Sequence, residues 1–426
     1  MTRRAVEYAG AVVVIGLLAG VAGAATTVVL QAVEHLVYHY SFGSLLTGVG
    51  GSSPVRRAVG PMIGGALAGF GWWILRRRGD VPSLSPTIAE HRPIPRWRWS
   101  IDAGLQVLLV GSGASLGREG APRQFSAALG DLGTSRWSLT ARDREILLAC
   151  AAGAGLAAVY SVPLGGAVFA VRILLGTWHP RAVGTALITS SLAVAVSSPV
   201  THLEHTLVWP DPNLSFLFVL LACAIAPLAV AVGLVFNRLM TRVRPKPQIR
   251  SWVLVPAIAV AGLATGVCSI WWPELPGNGR SILAVSVDSG LTLGGAAVIL
   301  LLKPLLTAVY LRTGAVGGLM TPALATGAAA GTVVTIAINH LAGIHLQVAA
   351  VSLACAAGVL AITQRGPLFA ALFVWELARP PLWLFLVFAA AAFTAHGIQL
   401  LRERNLARRS SVAPRAAEER WASEAP

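Results

Sequence analysis

The feature that most constrains this chain is that its apolar runs keep stopping short. They lie at 5–30, 58–75, 101–113, 145–159, 163–176, 182–199, 214–236, 252–272, 290–310, 322–339, 347–363, 367–377 and 380–400. Several fall below the ~20 residues that a straight helix needs to cross a bilayer core. Glycine or proline interrupts others. Such segments enter a membrane, stop, and leave irregular backbone at mid-depth, which is tolerated only where it is buried in protein or lines a watery path. A simple bundle of spanning helices does not produce this pattern. Composition agrees with a membrane setting: 55% of residues are hydrophobic and 12% charged, whereas a soluble chain carries about 25% charged residues. The first run is too long, and lacks the cleavage site, for a signal peptide, so it reads as the first spanning helix.

The net charge of +15 does not point to nucleic acid. The basic residues fall in short clusters between apolar runs, at 3–4, 76–78, 92–98, 136–144, 238–250 and from 402 onward. Charge-poor connections such as 38–54 and 198–215 alternate with them. Basic loops stay cytoplasmic, so the alternation sets topology and places both termini inside. Cys150, Cys223, Cys268 and Cys355 all lie in apolar segments without CxxC spacing, as small buried hydrophobes do.

One break stands apart. In GSGASLGREGAPRQFSAALG, from Gly111 to Gly130, a carboxylate (Glu119) sits between glycines and three residues ahead of Pro122. An acid at membrane depth is costly and marks a functional-site candidate. Glycines leave N–H groups free and Pro122 is placed to open a helix. Free N–H groups at a helix start attract anions, and a fixed carboxylate there competes with an anion for them. The same arrangement recurs. ACAAG at 149–153 returns at 354–358, each copy leads to a Pro-Leu (Pro163 and Pro367), and the break ending at Pro122 has a counterpart, GGLMTP, ending at Pro322. All three matches share an offset of roughly two hundred residues, the mark of an internal repeat. The expected architecture is one transmembrane domain over 1–400, built of two homologous halves (1–200 and 201–400), with a short basic tail at 401–426. If the halves are inverted, the helix starts at Pro122 and Pro322 converge near the midplane.

GREGAP at 117–122, GGLMTPALATGA at 317–328 and AAGAGLAAVYSVPLGGAVFA at 151–170 together resemble the voltage-gated chloride channel (CLC) family. The resemblance runs from the first span to about Leu400. It implies an all-α inverted-repeat membrane fold with broken and re-entrant helices, a homodimer with an anion pathway in each subunit, and no cofactor. By position it implies that Glu119 is the gate, occupying an anion site when charged and vacating it when protonated or displaced. The alternative is a structural acid paired with Arg118. Gly117, Arg118, Gly120, Ala121, Gly318, Leu319 and Met320 are the implied anion-binding residues, acting mostly through backbone N–H groups; Met320 stands where the family usually has an aromatic. Arg118 either supplies positive potential at the outer mouth or is a helix-flank charge. Lys303, inside the apolar run ILLLKPLLTAVYL, either draws anions to the pore or pairs with a buried acid. Gly277-Asn-Gly-Arg280 resembles a loop of bacterial members, with clear turn chemistry and an open role in transport.

The chain departs from the family pattern in three places. Gly79 replaces the serine of the central anion site, and Asp80 adds a negative charge beside it. No tyrosine follows Tyr310, so the C-terminal tyrosine of that site is missing. Where exchangers keep a second, cytoplasm-facing glutamate, this chain reads Ala170-Val171-Arg172-Ile173. Arginine does not deprotonate and isoleucine cannot, so the usual proton route is gone; Glu376, the repeat-equivalent of Arg172, is the alternative acid. The glycines of VLLVGSGASLG lack the α/β context of a dinucleotide loop. His35 with His39, and His202 with His205, lack the order of a metal motif and read as loop histidines.

The expected function is transport of chloride or a similar small anion, passive or weakly proton-coupled, with membrane lipid and a second copy of the chain as partners. The competing readings are a proton/anion antiporter with a non-standard inner proton acceptor, and a non-conducting scaffold or embedded enzyme. No nucleophile–base or metal constellation is visible to favour an enzyme.

Overall fold

The structure, a computed structural model, describes residues 3–135, 137–201, 209 and 217–423, with side chains as far as 407. It is all-α. In chain order the helices are α1 (Arg3–Tyr38), α2 (Leu45–Gly51), α3 (Pro54–Arg76), α4 (Leu84–Ala89), α5 (Arg96–Gly111), α6 (Gly120–Gly133), α7 (Ala141–Tyr160), α8 (Pro163–Val168, continued by a π-helical turn Phe169–Leu174) and α9 (Pro180–Thr201). Then follow α10 (Leu217–Val243), α11 (Leu254–Cys268), α12 (Arg280–Val287), α13 (Leu293–Arg312), α14 (Met320–Ala342), α15 (Val348–Gln364), α16 (Pro367–Ala378) and α17 (Leu384–Ser423). Seven helices, α1, α3, α9, α10, α13, α14 and the apolar part of α17, are long and apolar enough to cross a membrane, and α14 is the most enclosed. The chain is therefore a multi-pass membrane protein.

Apart from α2, the order of long, short and broken helices is the same twice over. Packing repeats with it: α1 lies on α6, α7 and α9 as α10 lies on α14, α15 and α17. Local backbone repeats too. Left-handed residues close corresponding turns at His91 and Ser289 (φ 51° and 55°), Gly113 and Gly314 (φ 107° and 89°), and Ser161 and Arg365 (φ 55° and 53°). The last pair ends α7 and α15 so that Pro163 and Pro367 can begin α8 and α16 at a position that needs no N–H.

The halves are joined mainly through α3 and α11, and the sequence explains how. Gly65 and Gly69 lie one turn apart on α3, Gly262 and Gly266 one turn apart on α11. A Cβ on Gly65 would stand 2.5 Å from the Ile258 carbonyl, and one on Gly262 only 2.1 Å from the Pro61 carbonyl. The two backbones are in direct contact, the usual basis of helix association where no hydrophobic effect operates. Four small residues thus hold the two halves in register, and that register brings the two broken segments together.

Candidate functional site

The break before α6 meets the break before α14 in an antiparallel bridge. Gly117 N–H donates to the Gly318 carbonyl and Gly318 N–H to the Gly117 carbonyl, both at 2.8 Å. Glu119, the residue ahead of α6, is thereby held against the start of α14 and is fully buried. Its Oε1 accepts from the Met320 N–H at 2.6 Å. Its Oε2 accepts from the Thr321 hydroxyl at 3.0 Å and the Tyr160 hydroxyl at 3.3 Å. The carboxylate therefore occupies the positive end of a helix to which it does not belong, where an anion would be held. Charge-assisted bonds of this kind offset the desolvation of a buried charge. Only glycines leave the room: a Cβ on Gly117 would lie 2.2 Å from Glu119 Oε2, and one on Gly318 2.1 Å from its Cδ.

The surroundings fix this arrangement from both sides. Tyr160, the last residue of α7, also takes a contact from Asn278 Nδ2 at 3.4 Å. The loop that carries Asn278 is held by Lys303, whose buried Nζ donates to the Leu275 and Gly277 carbonyls at 3.1 and 2.8 Å. Arg118 lays its guanidinium over the Tyr160 ring at 5.0 Å and donates to the Val159 carbonyl. Arg123 donates to the Glu119 carbonyl at 2.8 Å from the opposite side.

A cavity of about 630 Å³ leads to this point from the face that carries Asp80, Arg244 and Lys246. It ends on Gly120, Gly318, Leu319 and Met320, and its walls bear Arg76, Arg123, Arg244 and Lys246. No hydrogen bond among the described residues takes up the N–H groups of Gly120, Ala121 and Leu319. The cavity is thus a positively charged funnel ending on unused backbone donors, a geometry that concentrates and binds small anions. Its acidic member, Asp80, sits near the mouth and is bonded to Arg250 at 2.9 Å. That bond, with the charges of Arg250, Arg76 and Arg98, holds the Asp80 carboxyl below the usual carboxylate range.

Most of the residues singled out in the sequence gather here. Gly117, Glu119, Gly120, Ala121, Gly318, Leu319 and Met320 form the meeting point of α6 and α14, with Arg118 directed to the Tyr160 side. Lys303 does not line the cavity and donates to the Leu275 and Gly277 carbonyls. Gly79 is left-handed (φ 122°) and close to Arg98. Arg172 is exposed with its guanidinium over Trp178, and Glu376 accepts from the Leu164 and Gly165 N–H groups at 2.9 and 2.6 Å. His35 packs edge-on against Tyr40; His202 and His205 lie outside the described residues. Among the described residues, no group of three or more His, Cys, Asp or Glu is placed to hold a metal ion.

Sequence reasoning missed Tyr160, Thr321 and the pair Gln106 and Gln124 in the cavity wall. Thr321 and Tyr160 were inside quoted motifs, and a hydroxyl at the end of an apolar helix beside a break is the signal that finds them. Gln106 gave no such signal, because a lone amide in an apolar run is common.

The family model described as "Voltage gated chloride channel" matches residues 64–399. Among curated proteins, the chain is 29% identical over 332 residues to the voltage-gated ClC-type chloride channel ClcB of Escherichia coli O17:K52:H18 (strain UMN026 / ExPEC), covering 75% of this chain and 78% of that protein. ClcB of Escherichia coli O9:H4 (strain HS) is 28% identical over the same length and coverage. Among solved structures, a slow cyanobacterial Cl-/H+ antiporter is similar with a TM-score of 0.76 and 20% identity, over 95% of this chain and 99% of that one. A CLC-type fluoride/proton antiporter is similar with a TM-score of 0.70 and 19% identity, over 93% and 96%. At these identities the structural likeness speaks for the fold.

Proposed function

This chain belongs to the voltage gated chloride channel family, and on that premise we propose that it moves chloride or a similar small anion across the membrane with Glu119 as the gate. It is a transporter rather than an enzyme. The observation that carries the gating reading is the Glu119 carboxylate bonded to the Met320 N–H at 2.6 Å, at the blind end of a basic cavity. A charged Glu119 holds the donors that the anion needs. Once protonated or displaced, it releases them, and the anion passes from the cavity towards the Tyr160 and Arg118 side. Selectivity comes from backbone N–H groups and helix ends, which bind weakly enough to let the ion leave.

In this reading the basic face with its cavity is cytoplasmic, both termini lie on that side of a bacterial inner membrane, and the protein works as a homodimer with one pathway per subunit. Residues 1–200 and 201–400 are homologous halves of one transport domain, and 401–426 is a cytoplasmic tail. Arg172, exposed and permanently charged, supports passive or loosely coupled transport. The likeness to two proton-coupled antiporters favours a second reading, exchange through a non-standard inner acid.

The test is anion efflux from liposomes containing purified protein. Glu119→Gln is expected to raise flux at neutral pH roughly a hundredfold and to remove its acceleration by acid, since about 2.7 kcal/mol of lost competition is a factor of a hundred. Unchanged flux and an unchanged pH response in Glu119→Gln count against the gate. Absence of flux from both forms counts against transport itself. Running chloride and fluoride side by side identifies the preferred ion.

A further inference from the structure

One cation in the cavity wall is only partly spent. Arg123 stands on α6 one turn after Gly120, so the two share a helix face. Its Nε donates to the Glu119 carbonyl at 2.8 Å, and its guanidinium lies 5.2 Å over the Phe169 ring. Among the described residues neither Nη has a hydrogen-bond or ion-pair partner. A guanidinium carries five N–H donors in a planar fork. An arginine that served only to brace α6 would spend that fork on protein acceptors. Here it stays open on a side chain that lines the cavity.

The same wall holds an unused acceptor. Gln106 is 2% exposed, and its Nε2 donates to Asp102 Oδ2 at 2.8 Å and to Gln124 Oε1 at 2.7 Å. With the amide nitrogen committed to that side, the amide oxygen faces away from it. Oε1 has no hydrogen-bond partner, and a Cβ on Gly120 would lie 2.2 Å from it. It therefore stands beside the start of α6, and Gln106, Gly120 and Arg123 all line one cavity. A halide only accepts: it takes the donors singly and leaves Oε1 unpaired. A planar oxyanion places two oxygens on a guanidinium fork at once. One that also carries an O–H satisfies the buried acceptor as well.

We propose that Arg123 and Gln106 form a site for a planar oxyanion bearing one O–H, the hydrogencarbonate class, and that Arg123 sets the anion preference of this protein. The site belongs to the anion pathway proposed above and rests on that reading. Two oxygens of the ion accept from the Arg123 Nη groups, and its O–H donates to Gln106 Oε1. The Glu119 carbonyl and the Phe169 ring hold the fork in place. The ion binds whole, and no bond is made or broken.

The experiment titrates the purified full chain in detergent with sodium hydrogencarbonate, nitrate and chloride at mildly alkaline pH, by calorimetry. The same anions then compete with labelled-chloride efflux from liposomes. Nitrate has the planar shape and the charge without the O–H, so it reads the fork alone. Hydrogencarbonate is expected to bind about tenfold tighter than nitrate, and nitrate about tenfold tighter than chloride. Arg123→Lys keeps the charge and loses the fork, so the preference for nitrate over chloride is expected to disappear. A preference that survives Arg123→Lys overturns the proposal, as does a wild type that binds nitrate or chloride as tightly as hydrogencarbonate. The wild-type order needs no variant, so it decides the matter even if Arg123→Lys does not fold. A chain that binds in the expected order and passes no chloride keeps this site and fails the transport reading. One that passes chloride under Glu119 control and binds hydrogencarbonate no tighter than chloride fails this proposal alone.

Discussion

The two breaks at the centre of the molecule are built alike and equipped differently. Each consists of a left-handed glycine (Gly113 or Gly314), a short irregular stretch, and a helix whose proline follows within its first turn. The backbones then bond reciprocally at Gly117 and Gly318. In GREGAP the residue three before the proline is Glu119; in GGLMTP it is Leu319. One break therefore supplies a carboxylate, and the other supplies N–H groups, with Thr321 as an additional donor. The backbone geometry is shared, and a few differing side chains divide the roles of acceptor and donor between the breaks. A symmetric site with an acid in both breaks would place two like charges at the same point, which costs several kcal/mol inside a protein.

The sharpest way to break this division is to put a methyl group where the second break must yield to the first. Gly318→Ala places its Cβ 2.1 Å from the Glu119 carboxyl carbon. The carboxylate is expelled from the Met320 N–H, and neutral-pH efflux is expected to rise roughly a hundredfold, corresponding to about 3 kcal/mol of lost charge-assisted bonding. Combining it with Glu119→Gln should add little further, because both changes remove the same occupant. Fully additive effects of the two in a double-mutant flux series sink the shared-site picture.

A smaller effect is expected from the hydroxyls that mark the difference between the halves. Thr321→Val removes the 3.0 Å donor to Glu119 Oε2, and Tyr160→Phe the longer one at 3.3 Å. Efflux is expected to rise about tenfold for the first and about threefold for the second, in the range of 0.5–3 kcal/mol for one bond to a charged group. If Tyr160→Phe exceeds Thr321→Val, the Tyr160 side rather than the start of α14 controls the gate.

The smallest effect belongs to the cavity mouth. Asp80 is held ionised below the usual carboxylate range by Arg250. The pair is therefore complete above that range and is lost only as pH falls through the lowered value. Asp80→Asn removes a negative charge from a basic funnel and frees Arg250. Uptake from that face is expected to increase about twofold at low salt and to be unaltered at high salt, as for exposed charges. A twofold effect that survives high salt assigns Asp80 to the binding site itself.

Periodicity and residue type made much of the site legible in advance. Glu119 was visible because an acid among glycines in an apolar run has few structural uses, and Pro122 and Pro322 stood out as the ends of similar breaks. Lys303 shows where such reasoning ends. Its cost in a membrane was clear, but its two carbonyl partners, Leu275 and Gly277, lie in a loop that precedes it in the chain and returns to it only on folding.

The sequence by itself determined a membrane-spanning, all-α chain with two matching broken segments and a carboxylate in one of them. Those properties are local: hydropathy over about 20 residues, the backbone freedom of glycine, the missing N–H of proline. Only the tertiary structure decided which N–H groups Glu119 holds. That choice depends on how α3 sits on α11, where glycines let two backbones touch and fix the register of one half on the other. A shift of one residue there would carry Gly318 away from Gly117 and leave a buried carboxylate without its donors.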